Sequence, residues 1–443
     1  MERIKQYKKI HMIGVKGVGM TALAEVLLAN GFSVTGSDVH DEFMTDAVLA
    51  RLGIAVSEFG EEHVHGADAI VRSNAYTEEN EEVKEAVERN IPLFSYPEVV
   101  AELFNAHRGI AVAGSHGKTT TTAMLAHILK AAEKNVTAIV GSRVIDWGSG
   151  AVAGDLSKDD ALFVLEADEY KEAFLHYQPH GAIITNIDYD HPDYFANPED
   201  YRKAFEKFVA LIPATGFLIM GDNDETLAEV ARNAACKVVV VREEDREEFS
   251  LHSPGAHYQF DANLAYRAAL ECGVAPAVAR AALESFHGTA RRLEYIGERN
   301  GAIIIDDYAH HPSELKATLA GIAEKYKGKH ICAVFQPHTF SRTRALFDDF
   351  AGAFTDAESV VLMHVYASAR EKKEGNKNMV DMAVMADKVN EIAGKKKAVY
   401  IEDRNDVIDH VRALAKTNTV IVTFGAGDIW QIARALCEKE AEG

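Results

Sequence analysis

A glycine-rich segment near the middle of the chain carries the residues best suited to phosphate chemistry. It reads GSHGKTTTT from Gly114 to Thr122, between an apolar run that predicts a strand and an amphipathic run that predicts a helix. Backbone N–H groups at such a junction bind phosphate, and the N-terminus of the helix favours negative charge. Lys118 is predicted to reach the outer phosphates of a nucleotide, and the Thr119 hydroxyl to bind Mg²⁺. Val112 replaces the first glycine of the usual P-loop, so this loop is shorter than the common form.

Two strand ends farther along the chain carry clusters of acidic residues. The strand predicted at VLEADEY ends in Glu166, Asp168 and Glu169, and the one at IITNIDYDH ends in Asp188, Asp190 and His191. Carboxylates at the ends of strands that follow a phosphate loop are placed to bind divalent cations directly or through water. The second cluster indicates a second divalent site, because two cations can bridge the phosphates and the developing charge. Each cluster by itself also fits a solvated acidic loop.

Histidines and arginines are concentrated at predicted strand ends in the last third of the chain. They occur in RRLE (Arg291–Glu294), DDYAHHPSEL (Asp306–Leu315) and QPHTFSRTR (Gln336–Arg344). Guanidinium groups suit phosphates and carboxylates, whereas the adjacent His310 and His311 indicate hydrogen bonding to a ligand more than joint metal binding. In a chain with a net charge of -21, arginines at strand ends favour anion binding over a basic surface patch.

The N-terminal segment GVKGVG (Gly14–Gly19) is a weaker nucleotide signal. Its spacing is G-x-x-G-x-G, whereas the dinucleotide fingerprint is G-x-G-x-x-G. Asp38 closes the next predicted strand, as an acid that binds a ribose would. The segment therefore predicts a site for a nucleotide or dinucleotide diphosphate. A dinucleotide-dependent oxidoreductase is the alternative, but it leaves the central phosphate loop unexplained.

These segments require a framework of alternating strands and helices. Apolar strand patterns alternate with amphipathic helix patterns almost throughout, which predicts the α/β class with mostly parallel sheets. At 443 residues the chain has room for about two to four domains. We predict three α/β domains, over residues 1–107, 108–297 and 298–443, each with one of the chemical segments near its start.

Composition and charge exclude several classes of partner. The net charge of -21 disfavours free-standing binding to nucleic acid or anionic lipid. No apolar run approaches the ~20 residues of a membrane span, and no signal peptide is visible. The four cysteines show no paired spacing, which fits a reducing compartment. We therefore expect a cytoplasmic protein without membrane insertion.

Taken together, the motifs resemble those of the Mur ligases, which add amino acids to UDP-N-acetylmuramic acid in peptidoglycan synthesis. The matching motifs occur in their usual succession along essentially the whole chain: GSHGKTTTT, EADE, TNIDYDH, RRLE, DDYAHHP, FQPH and GAGD. The resemblance implies a Rossmann-like N-terminal domain, a central P-loop ATPase domain and a Rossmann-like C-terminal domain. It also implies an ATP-dependent ligase that requires Mg²⁺ (or Mn²⁺) and passes through an acyl phosphate.

Within the family, the motifs divide between two branches. GVKGVGM with GSD, DDYAHHPSE and FQPHTFSRT resemble the branch that adds L-alanine, and this reaction is the predicted one. EADEYKEAF and RRLE are more similar to the branch that joins a salvaged tripeptide, L-Ala-γ-D-Glu-meso-diaminopimelate, to the same UDP-sugar. Tyr258 and Asp261 stand where the family usually has asparagines, which keeps a non-catalytic nucleotide-binding regulator as a further alternative. A ligase of this fold acting on another acid is a third.

The resemblance assigns roles to individual residues. ATP would be bound by Gly114, Ser115, His116, Gly117, Lys118, Thr119, Thr120, Asn263, Arg292 and Asp307. The UDP-sugar would be bound by Gly17, Gly19, Met20, Ser37, Asp38 and Ser73. The metal ligands would be Thr119, Glu166 and His191, and the catalytic residues Lys118, His191, His338 and Arg342. Phe205 stands where sister ligases carry a carbamylated lysine, so no carbamate is expected. The expected partners are UDP-N-acetylmuramic acid and an amino acid or peptide, with the protein a monomer or homodimer.

Overall fold

The computed structural model describes residues 3–191, 194–222, 224–367, 371 and 380–438. The chain forms two compact units. The first comprises Met1–His252 and Gln259–Thr289, and the second comprises Ser253–Tyr258 and Ala290–Gly443. In the described part of the chain, the first unit contains two sheets and the second contains one.

The N-terminal sheet of the first unit is entirely parallel. Its strands are β1 (Lys9–Ile13), β2 (Ser33–Ser37), β3 (Val56–Ser57), β4 (Ala69–Arg72) and β5 (Leu93–Ser95). The helices are α1 (Val18–Ala29), α2 (Asp46–Arg51), α3 (Glu81–Glu88) and α4 (Tyr96–Asn105). In the order β3-β2-β1-β4-β5, the chain adds strands first on one side of β1 and then on the other. Ligands of open α/β sheets bind at such a topological switch point. The segment GVKGVG directly follows β1 and therefore lies at this point.

The second sheet is larger and has β6 at its centre. Its strands are β6 (Arg108–Ala113), β7 (Val136–Val144), β8 (Ser149–Val152), β9 (Leu162–Glu166), β10 (Gly181–Ile184), β11 (Phe217–Gly221) and β12 (Lys237–Val241). The helices along this stretch are α5 (Lys118–Ala131), α6 (Pro198–Ala210), α7 (Glu225–Ala231), α8 (Ala256–Glu271) and α9 (Pro276–Glu284). The order is β12-β11-β10-β6-β9-β7-β8, and only the β7–β8 pairing is antiparallel among the described strands.

The sequence explains why β6 is central. Four consecutive residues of this strand, Ile110 to Ala113, are fully buried. An uninterrupted apolar run is typical of a parallel strand that is covered on both faces. The two acid-bearing strands β9 and β10 pair with β6 on either side. Their carboxyl ends therefore flank the phosphate loop that follows β6.

The sheet of the second unit has six strands. They are β13 (Glu294–Arg299), β14 (Ala302–Asp307), β15 (His330–Phe335), β16 (Ser359–Leu362), β17 (Ala398–Tyr400) and β18 (Thr419–Phe424). The helices are α10 (Pro312–Lys325), α11 (Phe340–Ala345), α12 (Phe347–Ala351), α13 (Met382–Ala393), α14 (Arg404–Leu414) and α15 (Trp430–Cys437). In the order β13-β14-β18-β15-β16-β17, the described strands are parallel except for β13.

Short 3₁₀ helices complete the described elements, at Ile4–Gln6, Glu61–Val64, Tyr170–His176, Glu243–Asp245 and Gly352–Phe354. The second unit resumes at Ala290, whereas the first two predicted domains fall within one unit. The domain boundaries near residues 107 and 297 stay predictions. Across the described helices, none is both long enough and apolar enough to cross a membrane.

Candidate active site

The phosphate loop requires glycine at two positions. Gly114 and Gly117 have φ of 127° and 82°, a region that side-chain-bearing residues rarely adopt. A Cβ on Gly114 would overlap the Thr185 hydroxyl, and a Cβ on Gly117 would lie 2.5 Å from Asp261 Oδ1. The glycines therefore allow a turn tight enough to bring the loop directly onto the N-terminus of α5.

The end of β10 holds this loop in place. The Asn186 side chain accepts from the His116 N–H at 3.1 Å and donates to the His116 carbonyl at 3.0 Å. The Asn186 carbonyl accepts from the Ser115 N–H at 3.1 Å, and Thr185 Oγ1 also donates to the His116 carbonyl. These two supporting residues were missed from the sequence. The available signal was a polar Thr-Asn pair directly after a buried strand.

Lys118 lies at the start of α5 among carboxylates and loop carbonyls. Its Nζ is 2.9 Å from Glu169 Oε2 and donates to the carbonyls of Gly114 and Ser115, at 2.5 and 3.2 Å. Burial alone would lower the pKa of Lys118, but the charge of Glu169, followed by that of Asp168, raises it above its ordinary value. Lys118 is therefore a fixed cation aimed at the phosphate loop.

Thr119 and Glu166 lie together beside the loop. The Thr119 hydroxyl donates to Glu166 Oε1 at 2.8 Å, and the Gly141 N–H donates to Glu166 Oε2 at 2.6 Å. A hydroxyl and a carboxylate at hydrogen-bonding distance form the oxygen donor set that Mg²⁺ prefers next to phosphates. The pair thus offers oxygen donors that fit a magnesium ion, and the assignment of Thr119 and Glu166 as its ligands stays a prediction.

A second acidic cluster surrounds His191. One donor atom each from Asp168, Glu169 and His191 lies within 4.8 Å of the other two, and His191 Nε2 is 3.6 Å from Glu169 Oε1. Burial alone would lower the pKa of His191, but the hydrogen bond to Glu169 and nearby carboxylates raise it. His191 has φ of 58°, an unfavourable backbone conformation of the kind that clusters at active sites. The donor set fits a divalent cation after loss of the imidazole proton.

Tyr201 on α6 joins the loop to this cluster and was not expected from the sequence. Its hydroxyl is 2.7 Å from Ser115 Oγ and donates to Glu169 Oε1 at 3.3 Å. Phe205, one turn later, is fully buried with its ring 5.2 Å from those of Tyr201 and Phe174. The position of the carbamylated lysine in sister ligases is therefore part of the apolar core.

Two other residues assigned to ATP are buried near the loop. Thr120 lies in the first turn of α5 and is 5% exposed. The Asn263 amide donates to the carbonyls of Glu247 and Gln259 and accepts from the Glu247 N–H at 2.8 Å. Its two bonds to Glu247 fasten the preceding segment to α8, whereas the bond to Gln259 lies within the helix. Asp261, two residues before Asn263, is the α8 residue that packs on Gly117.

The predicted UDP-sugar loop is organised by Asp38. Its carboxylate is 3% exposed and accepts from the Lys16 N–H at 2.7 Å, the Val39 N–H at 2.8 Å and the Tyr76 hydroxyl at 2.9 Å. Gly17 precedes α1 as its N-cap. Asp38 therefore shapes the loop between β1 and α1, which follows the strand at the switch point of the sheet.

The other residues assigned to the UDP-sugar differ in accessibility. Ser37 is fully buried and donates to Glu82, a fully buried carboxylate that also accepts from the Gly60 N–H at 3.1 Å. Met20 is 3% exposed in the first turn of α1. The Ser73 N–H donates to the Ile13 carbonyl at 2.9 Å, which fixes it at the end of β4. The Ser37 hydroxyl thus supports the loop from inside the protein.

In the second unit, the two arginines of RRLE have different environments. Arg291 is 5% exposed, its Nε donates to Asp306 Oδ2 at 3.0 Å, and its other nitrogens donate to the carbonyls of Gly425 and Gly427. Arg292 keeps 23% of its side chain exposed, and its ion pair with Glu314 spans 4.0 Å. Arg291 is therefore a buried structural cation, while Arg292 remains accessible for a ligand.

Arg291→Met is expected to destabilise the second unit by about 3 kcal/mol, because it leaves the buried Asp306 carboxylate without its cation. Arg292→Met removes the same charge and is expected to cost under about 1 kcal/mol, since its ion pair is partly solvated. Urea unfolding of both variants measures the difference. Equal destabilisation by the two substitutions would contradict this division of roles.

Asp307, the residue assigned to ATP at the end of β14, is 2% exposed. Its two carboxylate oxygens accept from the N–H groups of Leu293 and Ala309, both at 2.8 Å. Burial raises the pKa of Asp307 to about 6, and the nearby Arg292 limits that rise. The folded protein therefore binds this proton more tightly than the unfolded chain does.

The stability contributed by Asp307 is therefore expected to fall as pH rises from about 4 to about 6. Asp307→Asn removes this titration. The unfolding free energy of the parent protein minus that of Asp307→Asn should decrease by roughly 3 kcal/mol between pH 4 and pH 7. Urea unfolding at the two pH values measures this change. A difference that stays constant or increases would refute the assignment.

His338 lies two residues before α11, and Arg342 lies in the first turn of that helix. The His338 ring stacks on Tyr366 at 5.9 Å and meets the edge of the His310 ring at 6.2 Å. Burial lowers the pKa of His338 and of His310 to about 4, so both are neutral at neutral pH. Between His338 and α11, Thr339 adopts a strained φ of 68°. A neutral imidazole beside the cationic Arg342 suits binding of an anionic or amine-bearing ligand.

Comparison with known proteins identifies relatives along the entire chain. The family model described as Mur ligase family, catalytic domain, matches residues 9–108, the Mur ligase middle domain matches 112–266, and the Mur ligase glutamate ligase domain matches 291–427. The UDP-N-acetylmuramate–L-alanine ligase of Desulfitobacterium hafniense is 38% identical over 96% of this chain and 99% of its own. That of Clostridium acetobutylicum is 36% identical over 98% of both chains.

Solved structures with the same fold agree with these matches. The UDP-N-acetylmuramate-alanine ligase MurC of Thermotoga maritima superposes with a TM-score of 0.80 at 26% identity, over 97% of this chain and 98% of that one. A murein peptide ligase of Psychrobacter arcticus gives a TM-score of 0.69 at 24% identity over the same shares and supports the fold alone. The predicted three-domain α/β architecture with mostly parallel sheets is thereby confirmed.

Proposed function

Since the chain belongs to the Mur ligase family, we propose that it joins L-alanine to the carboxylate of UDP-N-acetylmuramic acid, with conversion of ATP to ADP and phosphate. The observation that carries the proposal is the phosphate loop, where Lys118 contacts Glu169 and Thr119 contacts Glu166. Full-length relatives named for this reaction support the choice of substrates.

The reaction has two steps. The substrate carboxylate attacks the γ-phosphorus of ATP, the bond to the bridging oxygen breaks, and ADP leaves an acyl phosphate behind. The L-alanine amine then attacks the acyl carbon, phosphate departs, and the amine loses a proton. Phosphoryl transfer needs alignment and charge compensation more than covalent help. The proposed site is suited to supply both.

Lys118 and the loop N–H groups would orient the outer phosphates, since Lys118 keeps its charge among carboxylates. A divalent cation, Mg²⁺ or Mn²⁺, held by Thr119 and Glu166 would compensate the phosphate charge when bound. His191, with Glu169 beside it, is the proposed ligand for a second cation. Arg292 and Asp307 would contact ATP.

The remaining assignments concern the two organic substrates. His338 and Arg342 would contact the muramyl carboxylate or the incoming amino acid, as their neutral imidazole and guanidinium permit. The UDP group would be bound by Gly17 at the end of the β1–α1 loop, by Gly19 in the first turn of α1, and by Asp38, which organises that loop. A cytoplasmic location, a monomeric or homodimeric state and the absence of nucleic-acid and membrane partners belong to the same proposal.

The test is phosphate release from ATP and Mg²⁺ in the presence of UDP-N-acetylmuramic acid. L-alanine and the tripeptide L-Ala-γ-D-Glu-meso-diaminopimelate are supplied in parallel reactions. Release that depends on L-alanine is the expected result. Release that depends on the tripeptide would favour the second candidate, the ligase that joins the salvaged tripeptide to the UDP-sugar. The EADEYKEAF segment supports this candidate, and its Tyr170 ring centre lies 4.8 Å from that of His191. ATP binding without turnover on either acceptor would favour a regulator.

A further inference from the structure

The side chain of Tyr96 reaches the N-terminus of helix α1, beside the proposed UDP-binding loop. A Cβ on Gly19 would be 2.8 Å from the Tyr96 hydroxyl oxygen, so the hydroxyl packs directly on this glycine of the first helical turn. Tyr96 is itself the first residue of α4, where Ser95 and Glu98 form a capping box. The capping box fixes the backbone that directs the side chain towards α1.

The same end of α1 lies against β8, which pairs with the strand β7 that contacts Glu166. Ala22 Cβ, one turn after Gly19, would be 3.7 Å from a Cβ on Gly150 of β8. That Gly150 position lies 3.1 and 3.2 Å from the carbonyls of Val140 and Ser142 on β7. Gly141, between those two residues, donates its N–H to Glu166. The UDP loop and the magnesium-binding pair are therefore neighbours within the first unit.

The Tyr96 hydroxyl faces this junction as a hydrogen-bond donor. Burial is the largest cause of a raised pKa for Tyr96, and the charges of Tyr177, Glu166 and Asp168 raise it further. The hydroxyl therefore keeps its proton at neutral pH. It has no hydrogen-bond partner among residues 3–191, 194–222, 224–367, 371 and 380–438, and the side chain is only partly buried. A hydroxyl that donates to none of these residues remains available to donate to a ligand.

We propose that the Tyr96 hydroxyl donates a hydrogen bond to the nucleotide-sugar acid and positions it between the UDP loop and the Glu166 site. The ligand class is an anion with a diphosphate at one end, bound at the N-terminus of α1, and a carboxylate at the other. This inference rests on the proposed function, and it adds a substrate-contacting residue to that reaction. Gly19 has a second purpose in this arrangement, because any side chain there would displace the hydroxyl.

The test compares Tyr96→Phe with Tyr177→Phe. Both substitutions remove one hydroxyl from the same part of the first unit, but Tyr177 is 5% exposed and its ring packs against Phe104. The measurements are the Kd for UDP-N-acetylmuramic acid without ATP, and KM and kcat for each substrate. Tyr96→Phe is expected to raise Kd and KM for the UDP-sugar by about tenfold, the effect of losing a hydrogen bond to a charged group. KM for ATP and the thermal unfolding midpoint should stay unchanged.

Several results would overturn the inference. They are an unchanged Kd for the UDP-sugar in Tyr96→Phe, an equal increase in Tyr177→Phe, or a loss confined to ATP. Failure of the proposed function can be distinguished from failure of the Tyr96 inference, because in the first case the unmodified enzyme would release no phosphate with L-alanine. If that enzyme still binds the UDP-sugar, the Kd comparison decides the role of Tyr96. If it does not bind the UDP-sugar, the inference falls together with the proposed function.

Discussion

Replacing Lys118 with alanine is expected to lower kcat/KM for ATP by on the order of 10⁴-fold, as loss of a cation that stabilises a transferring phosphoryl group does. The expectation follows from its position, since Lys118 Nζ contacts two carbonyls of the phosphate loop and the Glu169 carboxylate. Coupled measurement of ADP formation at saturating UDP-sugar and L-alanine gives the number.

Stability and catalysis must be separated for this variant, because Lys118→Ala also removes the lysine that is paired with the buried Glu169. Lys118→Arg keeps the charge, and thermal unfolding of both variants shows whether the fold survives. Lys130→Ala is the matched control, a lysine in the last turn of the same helix whose Nζ lies 5.9 Å from the Trp147 ring centre. A decrease of less than about tenfold in kcat/KM for ATP, in a Lys118→Ala protein that remains folded, would contradict the proposed role of Lys118.

Glu166→Gln is expected to lower kcat by about 10³-fold and to raise the Mg²⁺ concentration needed for half-maximal rate. The carboxylate accepts from Thr119 on one oxygen and from the Gly141 N–H on the other. Glutamine keeps the size but has one accepting oxygen, and it lacks the negative charge that a hard cation prefers. Initial rates over a Mg²⁺ titration measure both effects.

Glu172→Gln is the control for this experiment. Glu172 lies in the same acidic segment, but it pairs with Lys207 at 2.7 Å and keeps part of its side chain in solvent. Its substitution should leave the Mg²⁺ dependence unchanged, because surface ion pairs contribute little. If Glu166→Gln shows an unaltered Mg²⁺ requirement, the ligand of the cation is another residue.

Local sequence was sufficient to predict the phosphate loop. A tight turn between a buried strand and a helix needs glycine at fixed positions, and the chain supplies Gly114 and Gly117 with positive φ. Lys118 and Thr119 follow immediately, so their direction is set by the first turn of α5. The prediction of the Thr119–Glu166 pair needed one further step, namely that parallel strands end at the same edge of a sheet. Pairing of β6 with β9 provides it.

Contacts between distant segments could not be predicted from spacing. Ser37 and Arg291 belong to motifs that indicate ligands, yet both are buried against carboxylates from other elements, Glu82 and Asp306. The Asn263 amide is likewise bonded to Glu247, 16 positions away along the chain. Whether a polar residue faces a ligand or a buried partner depends on which element packs against it, and no local pattern encodes that.

The amino-acid sequence by itself determined the fold class, the family and the position of the glycine-rich turn proposed to bind phosphate, because these depend on hydrophobic periodicity and on short motifs of defined spacing. Only the tertiary structure showed that Arg291 is held by the buried Asp306, and that Tyr201 and Tyr96 lie beside the proposed site. The physical reason is that desolvation and hydrogen bonding depend on which segments pack together in the folded protein. The partner of a polar side chain is therefore fixed only by the tertiary structure.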